Sequence, residues 1–576
     1  MNTKLKGLFQ KKFSIEEYRN VVMKDLFHCK RIFVNPELLE GDADGDQIFG
    51  LGTTTDADNK EIGFYYTKVL TSDVTRKRVG FRRMIQPYVN LGVDAAIAVF
   101  DDGQHWRLSF ISNLKEGVTA AKRFSYVAGD PTGQYNTPSH RLADLGRKTE
   151  NLRVSDIYDA FSVDALSDEF FNEYHVHYDR IVAELVRQGM SGAVYHDYVK
   201  KLMGRIVFLH FLQKKGWLCG DTNFMLNTFN QSDRKDDYLE SVLEPLFFGV
   251  LNTEVEKRDP SLRKWASIPY LNGGLFERDA VDNLKIVLPK HLFSDLFSFL
   301  ASYNFTVDEN DPDDAEIGVD PEMLGKIFES LLEDNKAKGA FYTPKEIVRY
   351  MCQESLIAYL VEKTKIEEAI IRGFVTQPYD VAESLNAKDS DDLFDALIAV
   401  KICDPAIGSG AFPMGLLNEL VRCEEALVLG KEKNNDRAHL KREIIKNNIY
   451  GVDIEKGAVD IARLRFWLSL VVDEEEPSPL PNLDYKIMQG NSLLESYKGI
   501  DLSHLIEESA ERDIFSEAVE PIQEQLEAKK DEYYSCGDHA KKAQLKEDIK
   551  NLIIQQLEAK GIGLDLSDID VAGNTH

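Results

Sequence analysis

Apolar and polar positions divide the chain into stretches of different period. Val93 to Phe100 is apolar apart from Asp94, Asp101-Asp102-Gly103 makes a turn, and Trp106 to Phe110 alternates, which predicts a β-hairpin. From about residue 150 to 335 the period is that of helices. Phe170, Phe171, Tyr174 and Tyr178 recur near helical spacing, as do Val199, Leu202, Ile206, Leu209 and Leu212, and both stripes read as core. His175 and His177 are two apart, so on a helix they point to different faces and make a poor metal pair. Leu271 to Phe276 reads as a turn between helices, and Asp308 to Asp314 as an acidic boundary loop.

Further on, strand and helix patterns alternate. Leu397, Ile398, Val400 and Ile402 form a short apolar run that ends at Asp404; a turn with Gly408 and Gly410 follows, then the helical pattern Met414, Leu416, Leu417, Leu420, Val421. Asn448 to Glu455 reads as a second strand ending in an acid, with Asp453 the candidate, and Ala458, Ile461, Ala462, Leu464, Leu468 and Leu470 continue as a buried helix. Tyr485 to Ser492 predicts a third strand. Ile522 to Tyr534 and Lys541 to Leu557, joined at Ser535 to Asp538, predict a helical hairpin whose charge run reads as a solvated face.

Composition narrows the class. A chain of 576 residues is too long for one core, so three or more domains are expected. Its six cysteines (Cys29, Cys219, Cys352, Cys403, Cys423, Cys536) are scattered without a Cys-x-x-Cys pair, which argues for a reducing, cytoplasmic setting and against a disulfide framework or a zinc site. No apolar run approaches the ~18 residues of a membrane span, so no membrane partner is expected. The net charge of −28 counts against a surface that binds nucleic acid everywhere, since phosphate contacts need Lys and Arg. A local basic face remains open: Arg76, Lys77, Arg78, Arg82 and Arg83 are the candidates to touch DNA phosphate, and a solvated helix face explains them equally well.

The chemistry concentrates in the second half. A strand, a glycine turn and a helix let backbone N–H groups approach a ligand closely. An acid at the end of the second strand is where a Rossmann-like fold binds ribose hydroxyls. Upstream, Tyr342-Thr343-Pro344 reads as a helix start, with Thr343 as cap and Pro344 in the first helical position. A helix N-terminus suits an anion.

The string Asp404-Pro405-Ala406-Ile407-Gly408-Ser409-Gly410-Ala411-Phe412 resembles motif I of the amino-methylating DNA methyltransferases. Gly339 to Pro344 resembles their motif X, Asp453-Ile454 their motif II, and Gln489-Gly490-Asn491 their motif III with Asn in place of the usual Asp. The motif order looks like the γ class. The resemblance, to the large adenine-N6 enzymes of restriction-modification and phage defence (the type IIG kind), covers roughly residues 150–576. It implies S-adenosyl-L-methionine as cofactor. Tyr342, Thr343 and Pro344 would lie at its carboxylate, and Asp404, Pro405, Ala406, Gly408, Gly410 and Phe412 would line the turn. Asp453 would lie at its ribose hydroxyls with Ile454 beside it in the cofactor site, and Asn491 at the adenine amino group. The implied fold is α/β: an N-terminal α+β domain (1–150), a helical domain (151–335), an incomplete Rossmann-like methyltransferase sheet (336–500) and a helical insertion (501–576).

Two family features are missing from the sequence. The N-terminal region offers Asp94 and Asp101 on its hairpin but no Glu-x-Lys on the neighbouring strand, so a metal-dependent nuclease is unsupported; Glu527-Ala528-Lys529 and Glu558-Ala559-Lys560 lie in helical tail sequence. No Pro-Pro occurs, so the Asn-Pro-Pro-Tyr motif that polarises the adenine amino group is absent and no catalytic residue is identified. The leading expectation is therefore the cofactor-binding part of an adenine-N6 DNA methyltransferase acting on double-stranded DNA. It would be truncated, or completed by a second chain carrying the remaining motifs and the target-recognition domain, and inactive alone. The strand ending at Asp404 would then be an open apolar edge. The alternative is a non-catalytic DNA-binding or assembly subunit of such a system.

Overall fold

A computed structural model describes the chain apart from residues 42–45, 71–73, 75–78, 113–121, 130–134, 149–150, 191–193, 272–273, 279, 307–313, 331–342, 429–436, 475, 495, 498–499, 502–513 and 560–576. The chain forms two compact units. One comprises Met1–Arg187, Leu209–Asp236 and Leu288–Met323; the other comprises Gln188–Phe208, Asp237–Val287 and Leu324–His576. The helical stretch 151–335 is thus shared between them. No helix among the described residues is long and apolar enough to cross a membrane.

The first unit is built on a seven-stranded sheet whose strands neighbour one another in chain order: β1 (Arg31–Gly41), β2 (Gln47–Thr55), β3 (Glu61–Lys68), β4 (Ala95–Asp101), β5 (Trp106–Ser112), β6 (Lys122–Ala128) and β7 (Asp314–Glu316). All neighbours are antiparallel except β3/β4 and β6/β7. The parallel β3/β4 step needs a crossover, and helix α1 (Val79–Leu91) supplies it. Ala96, Ala98 and Phe100 face that helix, the two alanines making room for Phe81, Ile85 and Val89. Phe81 stacks on Phe100 with ring centroids 4.6 Å apart. The Arg123 guanidinium lies over both rings, which suits an arginine with no exposed surface.

The two hairpin acids serve the backbone. Asp94 accepts the Glu61 N–H at 2.7 Å, while Asp101 accepts the Gly103 N–H at 2.9 Å and the Tyr66 hydroxyl at 3.2 Å. Of the basic cluster, Arg82 and Arg83 fall on α1, whereas Arg76, Lys77 and Arg78 lie outside the described residues. His175 pairs with Asp179 along its own helix, Val163–Arg187, while His177 stacks on Phe299.

In the second unit a buried ion pair ties together the segment before the methyltransferase-like core. Arg205 donates to Asp282 at 2.6 and 3.0 Å and to the carbonyls of Leu275 and Glu277, with its guanidinium over Phe247 and Phe248. With every nitrogen of the fork used in this way, burying the charge is tolerable.

The core itself carries a parallel sheet of three short strands: β8 (Ile402–Asp404), β9 (Ile449–Asp453) and β10 (Ile487–Gln489), with β9 in the middle. Among the described residues β8 has one neighbour, and Cys403 on it is exposed. Helices α5 (Ala411–Val428) and α6 (Lys456–Asp473) pack on the sheet's strands, α3 (Lys345–Thr364) and α4 (Ala387–Ala399) pack on α5, α2 (Pro321–Ser330) precedes them in the chain, and α7 (Ile514–Ser535) with α8 (His539–Ala559) forms the hairpin. The hairpin is docked, not merely solvated. Asn482 donates to the Tyr533 and Cys536 carbonyls, and Tyr533 donates to Asp484. Tyr270 reaches the Gly537 carbonyl at 2.6 Å.

The apolar run before Asp404 differs from its strand reading. Leu397 and Ile398 belong to α4, and only Ile402–Asp404 is strand. The buried Asn448 side chain explains the switch: its Nδ2 donates to the carbonyls of Leu397, Ile398 and Val400, satisfying the end of a helix that has no glycine there.

Glu424 on α5 is 3% exposed and its Oε1 has no hydrogen-bond partner among the described residues. Burial pushes its carboxyl up to about 7. An acid whose folded pKa is raised weakens the fold as pH climbs from the ordinary carboxylate range to that value. Glu424→Gln cannot ionise, so its stability advantage over the parent should grow between pH ~5 and ~7, to at most about 3 kcal/mol. Urea unfolding at a series of pH values measures this; a gap independent of pH would refute it.

Candidate cofactor-binding site

The glycine turn, Asp453 and Asn491 all follow the C-terminal ends of the three parallel strands, the end at which open α/β sheets bind ligands. The middle strand holds the turn in place. Ile407 N–H donates to the Val452 carbonyl at 2.9 Å, and Gly408 N–H donates to Asp453 Oδ2 at 2.8 Å. Asp453 Oδ1 accepts the Glu455 N–H at 2.9 Å. Each of its oxygens keeps a second lone pair for a ligand. Asp404 Oδ1 accepts the Ala406 N–H at 3.0 Å, which starts the turn after Pro405.

The two glycines do different work. Both have left-handed backbones, φ +54° at Gly408 and +87° at Gly410. A side chain at Gly410 would press on Ala462 of α6, its Cβ 3.3 Å from the alanine's. A side chain at Gly408 would meet nothing within 4 Å. Gly410 therefore lets the turn close on the protein, and Gly408 presents bare backbone to open space. Ile454, 64% exposed at the end of β9, adds an apolar surface next to Asp453. Asn491 is exposed and its Oδ1 already accepts the Leu493 N–H at 3.0 Å. The next residue, Ser492, donates to the Pro405 carbonyl at 2.6 Å and so ties the third-strand loop to the glycine turn. Phe412 sits in the first turn of α5, its carbonyl accepting from the Cys352 thiol at 3.5 Å.

Upstream, the helix start falls one residue later than the sequence pattern predicts. Helix α3 begins at Lys345 with Pro344 as its cap residue, in extended geometry (φ −57°, ψ 145°); no side chain caps it, so Thr343 is not the cap. The reason is that Pro344 contributes its carbonyl, which accepts from Ile347 and Val348. Thr343 is half-buried just before that start, and Tyr342 lies outside the described residues. Val348 and Cys352 cross α5 at Gly415, where an added Cβ would come within 2.7 Å of Val348. Burial, then the charges of Glu419 and Asp404, push the Cys352 thiol up to about 12, so it is inert at this crossing.

The sequence reading misses residues that shape the turn from a distance. Gly451 on β9 is one: any side chain there would run into Ile407. A glycine within a strand is a signal for close approach and could have marked it. Ser492 carries no such signal.

Burial pushes the Asp404 carboxyl up, Ala406 N–H opposes this, and the nearby Asp453 carboxylate pushes it up further. A ligand bearing a cation or hydroxyl donors would relieve both acids.

Comparisons with known proteins agree with the sequence resemblance in class. Residues 381–556 match the family model described as MmeI, DNA-methyltransferase domain. That span holds the turn, Asp453, Asn491 and most of the hairpin, and it begins after Thr343 and Pro344. Residues 198–292, with the Arg205–Asp282 pair, match a domain of unknown function, DUF7814. Over 335 residues the chain is 32% identical to a putative type II restriction enzyme and methyltransferase of Methanocaldococcus jannaschii; the match takes in 53% of this chain and 28% of that protein. The chain thus spans little more than a quarter of that relative's length. Among solved structures, partial likenesses are to the type IIL restriction-modification enzyme MmeI in complex with DNA (TM-score 0.41, 19% identity, 59% of this chain and 41% of that one) and to a DrdV–DNA complex (TM-score 0.23, 13% identity, 83% and 38%). The family model and the Methanocaldococcus relative thus agree on a restriction-modification methyltransferase.

If Asp453 raises the Asp404 pKa through space, Asp453→Asn should lower it while keeping an acceptor for Gly408. Carbon-labelled aspartate spectra, with Asp404→Asn for assignment, would follow the titration. An Asp404 midpoint that does not move would show the two carboxylates to be uncoupled.

Proposed function

We propose that this chain is the cofactor-binding portion of a restriction-modification DNA methyltransferase that transfers a methyl group from S-adenosylmethionine to the adenine N6 of double-stranded DNA. The observation that carries the proposal is the turn at Gly408, open to solvent and braced by Asp453, within a stretch that matches an MmeI-type methyltransferase domain.

The residues present suit that cofactor. Gly408 offers bare backbone; Asp453 has free lone pairs for ribose hydroxyls, and the exposed Ile454 beside it can pack on the adenine face. Asp404 and Asp453 suit a ligand that carries positive charge. Thr343 and the first N–H groups of α3 would face the carboxylate. When bound, S-adenosylmethionine supplies the electrophilic methyl group. These residues orient it and do not activate adenine. We assign that step to polypeptide beyond these 576 residues, in the same chain or a second one, because Asn-Pro-Pro-Tyr does not occur here. Such polypeptide would also pair with the free side of β8.

Gly408→Val tests the cofactor reading. The added branch fills the open space and forces a β-branched residue to a left-handed φ, a strain of roughly 1–2 kcal/mol. Calorimetry with S-adenosylmethionine should show binding abolished while helix content stays; affinity equal to the parent's would remove the turn from the site.

DNA contact is assigned to the cluster of Arg76, Lys77, Arg78, Arg82 and Arg83. Neutralising Arg76, Arg78, Arg82 and Arg83 should flatten the log–log salt dependence of DNA binding by ~0.9 for each phosphate that no longer meets a cation. A slope equal to the parent's would return the cluster to solvent.

A further inference from the structure

We propose that Arg465 and Gly325 are positioning residues that lock one peptide of the glycine turn, and thereby set cofactor affinity without touching the cofactor. This deepens the reading above and rests on it for the identity of the ligand.

The turn has a weak point. Ser409 lies between two glycines with positive φ, so the peptide linking Ser409 to Gly410 can rotate at little steric cost on its Gly410 side. Arg465 on α6 closes off that freedom. Its Nη1 donates to the Ser409 carbonyl at 3.0 Å, and both residues are buried, 3% and 4% exposed. A peptide is planar, so fixing the carbonyl on one side fixes the Gly410 N–H on the other. That N–H donates to the Ile407 carbonyl at 2.8 Å, which closes the turn. Ala462, one helical turn before Arg465 on the same face of α6, supports Gly410 from behind.

Gly325 on α2 completes the brace. A Cβ built there would lie 2.9 Å from Ser409 Oγ, 3.2 Å from Ser409 Cβ and 3.3 Å from Arg465 Nη1. Helix α2 therefore approaches both partners of the Arg465–Ser409 bond as closely as backbone allows. Glycine is a poor choice inside a helix on propensity grounds, and alanine is better. The close approach supplies a reason for it. The cofactor-facing turn is thus set by a helix some eighty positions upstream in sequence, outside the span that matches the methyltransferase family.

The test uses the full chain with three variants: Arg465→Ala, Arg465→Lys and Gly325→Ala. Hydrogen exchange followed by mass spectrometry reads the Gly410 amide and the amides of α6 separately. In Arg465→Ala the Gly410 amide should exchange faster while α6 stays protected, and millimolar guanidinium, but not an equal concentration of sodium, should restore the protection. Lysine should fail to rescue, since a single ammonium cannot reproduce the planar fork. Calorimetry should show S-adenosylmethionine binding weakened roughly tenfold, as expected on losing a hydrogen bond to a charged group. Gly325→Ala should weaken binding while helix content stays at the parent's level, a combination that loss of fold cannot produce. Unchanged exchange at Gly410 in Arg465→Ala, or loss of protection throughout α6, would overturn the proposal. If the parent chain does not bind S-adenosylmethionine, the cofactor reading falls, and the exchange measurement still decides whether Arg465 locks the turn.

Discussion

The C-terminal end of β9 is the constraint on which the second half of the molecule depends. Within three residues it accepts hydrogen bonds from both neighbouring loops: Val452 from Ile407, the Asp453 side chain from Gly408, and the Asp453 carbonyl from Gly490. The Ile454 carbonyl then accepts the Gln489 side chain. A strand of five residues thus sets the position of the glycine turn on one side and of the Asn491 loop on the other. Asp453 serves as structure and as a candidate ligand at once. Among the described residues its negative charge is matched by backbone dipoles rather than by a cation, which leaves the charge available to a bound molecule.

The local features of this site were legible in the sequence, and those made by distant contacts were not. Asp404, Gly408, Gly410 and Asp453 announce themselves because a strand–turn–helix has a local grammar of glycine and terminal acid. Strand length was harder to read. Leu397 and Ile398 look like strand residues in an apolar run, but Asn448, some fifty positions away, caps their carbonyls as a helix end. Thr343 before Pro344 has the composition of a cap, and the extended Pro344 takes the position instead. Arg465 is buried in a helix that also carries Arg463, and its hydrogen bond to Ser409 has no signature in either residue's neighbours.

The N-terminal sheet shows the same division. Its hairpin of β4 and β5 is written in alternation and in Asp101-Asp102-Gly103. The last strand, β7, is contributed by Asp314–Glu316, almost two hundred residues after β6, and nothing local in that segment distinguishes it from an acidic loop. The acids of the hairpin also illustrate why residue type alone does not define a site. Asp94 and Asp101 accept from backbone N–H groups and from Tyr66, so both have a part in holding the sheet and its hairpin turn.

A turn that must present bare backbone to a ligand needs glycines, and glycines make it mobile. Affinity then depends on whatever removes that mobility before the ligand arrives. Here the braces come from β9, from α6 and from Gly325 on α2, while β8, from which the turn springs, has a single neighbouring strand among the described residues. The sheet gives the turn little support from the β8 side, so the burden shifts to side chains that reach it across helices. That gives a buried arginine on the helix next to the turn a physical role. An apolar residue would pack as well there but could not hold a peptide plane.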